Sequence, residues 1–327
     1  DGASLALGTL EWSPLAPGTA PPAGRTGMSV IYDSAARTLV VFGGWDGNSH
    51  VSGTNWFNDT WSLSLDGSMR WTQLTPAGVL PVARRSHSAI YDEPRRRMVI
   101  FGGLTAAGTR RNDVMALSLG ATPAWSSISP SGVAPTARSG HVAIFDPVHM
   151  RMLVHGGRSA SADLSDVREL NLSGAASWSV VSPVGSPPAA RSGHSAIYDA
   201  SRGRMVIFGG TGAAGYGDVW SLDVTNAPAW TNITPSGGQP GTRSLHTAVC
   251  DPTNDRMLMF GGESGTLLKD ELWGLSLAPG GSWTLLAPDD APYPRVEHGS
   301  VFDPVKGRML TFGGYLDFVR NDVLLFG

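Results

Sequence analysis

The chain has one cysteine, Cys250, which excludes an internal disulfide and any cysteine-based zinc site. It has two lysines, Lys269 and Lys306; charged residues make up 16% and the formal net charge is −3. No basic stripe of the kind that nucleic acid requires is present, so no nucleic-acid partner is expected. No apolar run approaches the ~18 residues of a membrane-spanning helix, so no membrane partner is expected. No window keeps a capped 3.6-residue apolar period, and helices should be few.

What is abundant is turn chemistry: 42 Gly and 23 Pro in 327 residues. That fraction stays below the ~25–30% at which low-complexity disorder is the better reading. A hydrophobic content of 41% supplies a large core. Length alone suggests two or three domains, but internal repetition overrides that estimate. A Gly-Gly pair closes an apolar run at Gly43, Gly102, Gly156, Gly209, Gly261 and Gly313, spaced 59, 54, 53, 52 and 52. Isolated tryptophans at 12, 71, 125, 178, 230 and 283 keep nearly the same spacing, including the long first unit.

One unit reads as four short strands: 194–199 (HSAIYD), 204–210 (RMVIFGG), 218–224 (DVWSLDV) and 229–234 (AWTNIT). Six such sheets bury themselves by packing radially around an axis. The expected fold is all-β, a single six-bladed β-propeller with four antiparallel strands per blade. The blades fall at ~21–77, ~78–131, ~132–184, ~185–236, ~237–289 and ~290–327. The sixth unit stops at NDVLLFG without a tryptophan strand, whereas Trp12 precedes the first unit. An N-terminal strand at ~8–16 is therefore expected to close the last blade, because an open blade exposes a sheet edge.

The Gly-Gly doublet, the Asn-Asp or equivalent opening the third strand and the tryptophan of the fourth resemble kelch repeats, over essentially the whole chain. The resemblance is specific for fold and nearly silent on function, since such propellers include binding modules and enzymes. It implies that the first strand is innermost and that the second-to-third-strand loops share the ligand-binding face with the Arg-Ser segments.

Several residues recur with the repeat. Asp33, Asp92, Asp146, Asp199, Asp251 and Asp303 end the first strands, and Arg97, Arg151, Arg204, Arg256 and Arg308 follow five residues later. These are expected to be exposed hairpin pairs, each worth under ~1 kcal/mol. Arg25, Arg84, Arg138, Arg191, Arg243 and Arg295 precede each first strand, followed three residues on by Met28, His87, His141, His194, His246 and His298. Such rings make an electropositive mouth for an anion, or bond carbonyls and acids of the neighbouring blade. Asp59, Asp113, Asp166, Asp218, Glu271 and Asp322 are the candidate acids, and the structural role is preferred. Imidazoles spread around an axis sit too far apart for one metal ion, and no cofactor is expected.

Function is sought where the repeat breaks, in exposed loops. The first-blade loop WDGNSHVSGTNWFND carries Trp45, His50, Trp56 and Phe57; such a loop stacks on a sugar or clamps a peptide, or else Trp56 and Phe57 pin it onto blade 2. The other blades add Arg110 and Arg111, Arg158, Tyr216, Glu263 and Lys269, and Tyr315, Asp317, Phe318 and Arg320. Arg85 and Glu297 break the Arg-Ser series, and His155 replaces the phenylalanine before a doublet. His155 is expected to be a hydrogen-bonded core residue.

No nucleophile elbow is present, and a Rossmann or P-loop site is not expected. Cys250 lies in an inner strand, where burial is expected. The reading that follows is a non-catalytic monomer that binds a protein or glycan, carboxylate-bearing in one version, through its loop face. The alternative is an acid/base isomerase or lyase in the axial cleft, similar to kelch-type sialate epimerases, with an Arg for the carboxylate and a His or Glu297 moving the proton. A third reading is a rigid spacer. The opening DGASLALGTLEW, without initiator Met or leader, reads as a mature or trimmed start. The Ala- and Gly-rich, lysine-poor composition fits a bacterial source. A secreted or periplasmic location is preferred to a cytoplasmic one.

Overall fold

The computed structural model describes residues 11–47, 53–67, 69–225, 227–286 and 292–327. Each repeat forms one antiparallel sheet whose strands neighbour one another in chain order, as in Ser195–Asp199, Arg204–Phe208, Val219–Asp223 and Ala229–Asn232. The first strands of blades 1 to 6 are Ser29–Asp33, Ser88–Asp92, Val142–Asp146, Ser195–Asp199, Thr247–Asp251 and Gly299–Asp303. Each touches the next, and the sixth touches the first. The molecule is a six-bladed β-propeller.

The second strands show why the sequence prefers this arrangement. Their last four residues are buried in every blade, as in Thr38–Phe42 and Arg204–Phe208. A sheet with one wet face alternates along its strands; here both faces abut another blade. In blade 1, Leu39 and Val41 pack with Leu310 and Phe312 of blade 6, while Val40 and Phe42 pack with Met98 and Ile100 of blade 2. Each such side chain contributes about 1.5–3 kcal/mol when fully buried.

The repeat tryptophans complete these seams. The outer-strand tryptophan of each blade lies on the second-strand ring of the preceding blade: Trp125 on Phe42, Trp178 on Phe101, Trp230 on His155 and Trp283 on Phe208. Trp71 on Phe312 and Trp12 on Phe260 close the series.

The last blade is completed by the N-terminal strand Trp12–Leu15, antiparallel to Val323–Phe326, with Trp12 opposite Phe326 and Pro14 opposite Leu324. Blades 2 and 3 depart from four strands. Ala77–Gly78 and Ser131–Gly132 each add a two-residue parallel strand to the outer edge of the following blade. This covers an edge that would otherwise stand unpaired.

The doublets mark close approaches, the first glycine to the next blade and the second to the innermost segment of its own. Gly43 and Gly44 have φ of 70° and 97°. A Cβ on Gly43 would lie 2.9 Å from the Arg84 carbonyl oxygen of blade 2, and one on Gly44 2.8 Å from that of Thr26. Glycine is required there on both counts.

The hairpin ion pairs form as the spacing predicts, Asp92 with Arg97 at 2.7 Å and Asp199 with Arg204 at 2.8 Å, but they are not exposed. The aspartates are buried, and Tyr32, Tyr91 and Tyr198 donate to Asp303, Asp33 and Asp146 of the preceding blade. These carboxylates tie one blade to another as well as closing their own hairpin.

Candidate functional site: the loop face

The arginine series does not make an electropositive mouth. All six arginines are buried, and each guanidinium reaches outward along its own blade to the acid opening the third strand. Arg84 holds Asp113 through two 2.8 Å bonds and also donates to the Gly102 carbonyl at 2.9 Å. Arg25–Asp59, Arg138–Asp166, Arg191–Asp218, Arg243–Glu271 and Arg295–Asp322 repeat the arrangement. The acids therefore belong to the same blade, not to the neighbour. At Asp166 burial acts to raise the carboxyl pKa, but bonds from Arg138 and Arg168 overcome it and hold it at about 2.

The histidines serve the seams. His87, His141 and His246 pair through Nε2 with Ser29, Ser88 and Ser195 of the preceding blade at 2.7–2.8 Å, and His298 with Thr247 at 2.7 Å. Burial depresses their pKa, and the adjacent arginine adds to it, to about 3 at His141 and His246. His194 faces Val142, which has no hydroxyl. Its partner is His155 Nδ1 at 3.0 Å, directly across the hairpin from Val142. His155 is thus a hydrogen-bonded core residue. Met28 needs no partner, and the facing position is Gly299, where a Cβ would come within 2.5 Å of Val30. The seam histidines invoked for proton transfer are buried among these partners. Among the described residues no His, Cys, Asp or Glu cluster could hold a metal ion.

Around the axis on the loop face, residues two after each arginine form a closed cycle of backbone hydrogen bonds of 2.7–3.0 Å. Ser86 N–H donates to Gly27, Gly140 to Ser86, Gly193 to Gly140, Leu245 to Gly193, Glu297 to Leu245 and Gly27 to Glu297. All six have positive φ, including Ser86, Leu245 and Glu297 at 53°, 57° and 54°. The axial channel beyond it is lined by first-strand residues, among them Cys250, which is half-buried and whose thiol burial raises to about 12.

Outside this cycle each blade carries a small ladder. The residue after the doublet (Trp45, Leu104, Arg158, Thr211, Glu263, Tyr315) bridges the residue after the arginine on one side. On the other it bridges a loop residue: Trp56, Arg110, Asp163, Gly215, Leu268 or Val319. This ladder brings together several of the residues singled out from sequence. Trp45 is buried against Trp56, with ring centroids 5.1 Å apart. Arg85 of blade 2 lies over both, 4.3 Å from Trp45 and 5.9 Å from Trp56, and is 3.5 Å from Glu297. Trp56, with Trp45, thus pins the loop onto blade 2 through Arg85, whereas Phe57 stacks within its own blade, under Arg25 at 4.2 Å. A buried Trp45 presents no open face to a sugar.

The other predicted residues are dispersed. Arg110 donates to Ser139 at 3.2 Å, Arg111 lies 3.5 Å from Asp113, and Arg158 pairs with Asp163 at 2.9 Å. Tyr216 sits beneath Arg191. Glu263 accepts from Ser244 at 3.4 Å. Tyr315 takes part in the blade 6 ladder, and Arg320 lies between Phe318 and Tyr293. His50 falls outside the described residues. Tyr293, 68% exposed in the Pro-rich APYPR segment, was missed by sequence reasoning, although an aromatic in a turn-rich connector is a usable signal. Gly210–Gly215 also spells G-T-G-A-A-G, the spacing of a dinucleotide fingerprint. It leads into the strand Val219–Asp223 rather than a helix, so no helix N-terminus meets a phosphate there.

A family model for the KLHDC2/KLHL20/DRC7 Kelch-repeats domain matches residues 1–175, 57–262 and 173–327. The chain is 35% identical over 205 residues to acyl-CoA-binding domain-containing protein 4 of Arabidopsis thaliana, covering 62% of this chain and 29% of that protein. It is 30% identical over 213 residues to host cell factor homolog hcf-1 of Caenorhabditis elegans, covering 59% and 26%. With host cell factor 1 of Rattus norvegicus it shares 27% over 244 residues, covering 68% and 11%. The chain thus spans less than a third of each of these relatives, all eukaryotic, which lends nothing to a bacterial source.

Proposed function

The chain belongs to the kelch-repeat family, and from that premise we propose that it is a protein-binding propeller whose loop face, at blades 1 and 2, takes a carboxylate-bearing segment of a partner. The similarity to host cell factor segments supports a binding scaffold. The observation that carries the anionic partner is Arg85. Burial lowers its pKa, Glu297 opposes that effect and nearby Arg110 adds to it. Arg85 thus sits 3.5 Å from Glu297 on a rigid aromatic base of Trp45 and Trp56, and Arg110, which bridges Leu104 in the same ladder, adds a second positive charge nearby. A partner carboxylate there relieves Arg–Arg repulsion and can accept two parallel bonds. A protein segment is preferred to a glycan because the indole of Trp45 is already covered.

The test uses a fluorescein-labelled hexaglutamate peptide and the whole chain. Binding that weakens with salt and falls at least tenfold in the Arg85→Gln/Arg110→Gln double variant supports the reading. Arg111→Gln and Arg158→Gln are expected to change it little, because neither guanidinium lies over Trp45 or Trp56, where Arg85 sits. No binding, or equal loss in all variants, overturns it.

A further inference from the structure

The repeats differ at one structurally equivalent loop position, and that difference opens a second site. In blades 1 to 3 the loop residue that bridges the post-doublet residue reaches across the seam to the next blade. Trp56 lies beneath Arg85, Arg110 donates to Ser139 at 3.2 Å, and Asp163 accepts from Ser192 at 3.0 Å. In blade 4 this position is Gly215. Nothing crosses the seam there from that position, and a cleft of about 260 Å³ lies between blades 4 and 5. Its walls carry the hydroxyls of Thr211, Thr242, Ser244 and Ser264 and the carboxylate of Glu263.

From this geometry we infer that the cleft receives a basic side chain, arginine or lysine, from a partner polypeptide. The molecule supplies the template itself: at the seam between blades 2 and 3, the Arg110 guanidinium group bonds the serine equivalent to Ser244. The ladder position equivalent to Glu263 is Arg158 at that seam, so the sign of the wall is reversed and suits an incoming cation. The other charge lining the cleft is Arg243, whose guanidinium is held by Glu271 at 2.5 Å and by the carbonyls of Pro240 and Gly261. Glu263 accepts from Ser244 on the same wall at 3.4 Å, so a cation entering beside it meets both groups. Wall hydroxyls accept the remaining N–H donors. The inference does not depend on the Arg85 cluster, which lies on the opposite side of the axis. If both hold, the partner places an acidic group over blades 1 and 2 and a basic one over blades 4 and 5.

The experiment titrates acetyl-Gly-Arg-Gly-amide into the ¹⁵N-labelled chain and follows backbone amides by NMR. Saturable shifts at Thr211, Ser244 and Gly265, absent with acetyl-Gly-Gln-Gly-amide, are expected. Glu263→Gln should weaken them at least tenfold. Gly215→Arg should abolish them without lowering the melting temperature. A Cβ at residue 215 meets Thr242 at 3.4 Å, an ordinary contact, and the new side chain can occupy the cleft from within. Shifts that are absent, scattered elsewhere, or unchanged in Glu263→Gln overturn the inference, and Glu263→Gln decides the matter if Gly215→Arg fails to fold. Hexaglutamate binding should be indifferent to both changes, so failure at one site is distinguishable from failure at the other.

Discussion

The exchange of a hydroxyl and an imidazole across the blade 3 hairpin gives a prediction with a defined magnitude. In blades 1, 2 and 4 the cross-strand pair facing the next blade's histidine is Ser–Phe; in blade 3 it is Val142–His155. Replacing His155 by Phe alone strands His194 Nε2, a penalty of about 1–3 kcal/mol for a buried polar atom. It also removes His155 Nε2, which is itself buried without a partner, so the single variant partly cancels. Val142→Ser alone adds a hydroxyl while His194 is still engaged, and forfeits about 1 kcal/mol of apolar burial. Made together, the two changes rebuild the Ser195–His246 arrangement one blade earlier. The double variant should then be about 1–3 kcal/mol more stable than the sum of the single effects. Equilibrium urea unfolding of the four proteins measures this coupling. A coupling within the ~0.3–0.5 kcal/mol expected for independent sites would refute the claim that each seam imidazole requires one partner from the preceding blade.

Other consequences are open to measurement. Deleting residues 1–20 should lower the melting temperature sharply, because it uncovers the edge of Val323–Phe326; Trp12→Ala alone should cost about 3–5 kcal/mol, and unchanged thermal unfolding in both contradicts the closure. Arg84→Met removes the buried guanidinium that grips Asp113 and leaves the carboxylate with Arg111 at 3.5 Å. It should destabilise by about 1–3 kcal/mol, read by urea unfolding, and a loss no larger than that of an exposed pair is the contrary result. Acid should unfold the chain through its histidines. His141, His155 and His246 stay neutral down to about pH 3 when folded, whereas unfolded histidine protonates near 6.5. The unfolded state therefore binds more protons between those values. The stability is complete above about pH 6.5 and is lost as pH falls toward 3, at about 1.4 kcal/mol per pH unit for each fully titrating histidine. A flat pH profile from 7 to 4 contradicts this.

The period of the doublets and tryptophans was enough to read six sheets and their closure, because a motif that must recur at every seam leaves its spacing in the chain. Side-chain direction was less legible. Arg84 and its equivalents sit beside the axis in sequence terms, yet their partners start the third strand, and only the folded blade shows the side chain running outward. The aspartates ending the first strands looked exposed because the tyrosines that cover them come from the next repeat. His155 was recognised as an exception, but its reason lay at Val142 and His194, a three-residue relation spread across two blades. At the candidate site, Arg85 and Glu297 were visible as departures from the Arg-Ser series. Gly215 was not, since a missing side chain is conspicuous only beside its counterparts Trp56, Arg110 and Asp163.

The cycle of backbone bonds at the axis works as a drawstring. Each of its six segments is held on both sides, so tilting one blade out of line breaks two bonds at once and strains residues already in left-handed backbone. A visitor on the rim therefore stands on a hub that does not give way, and whatever adapts to it must be the side chains and loops above.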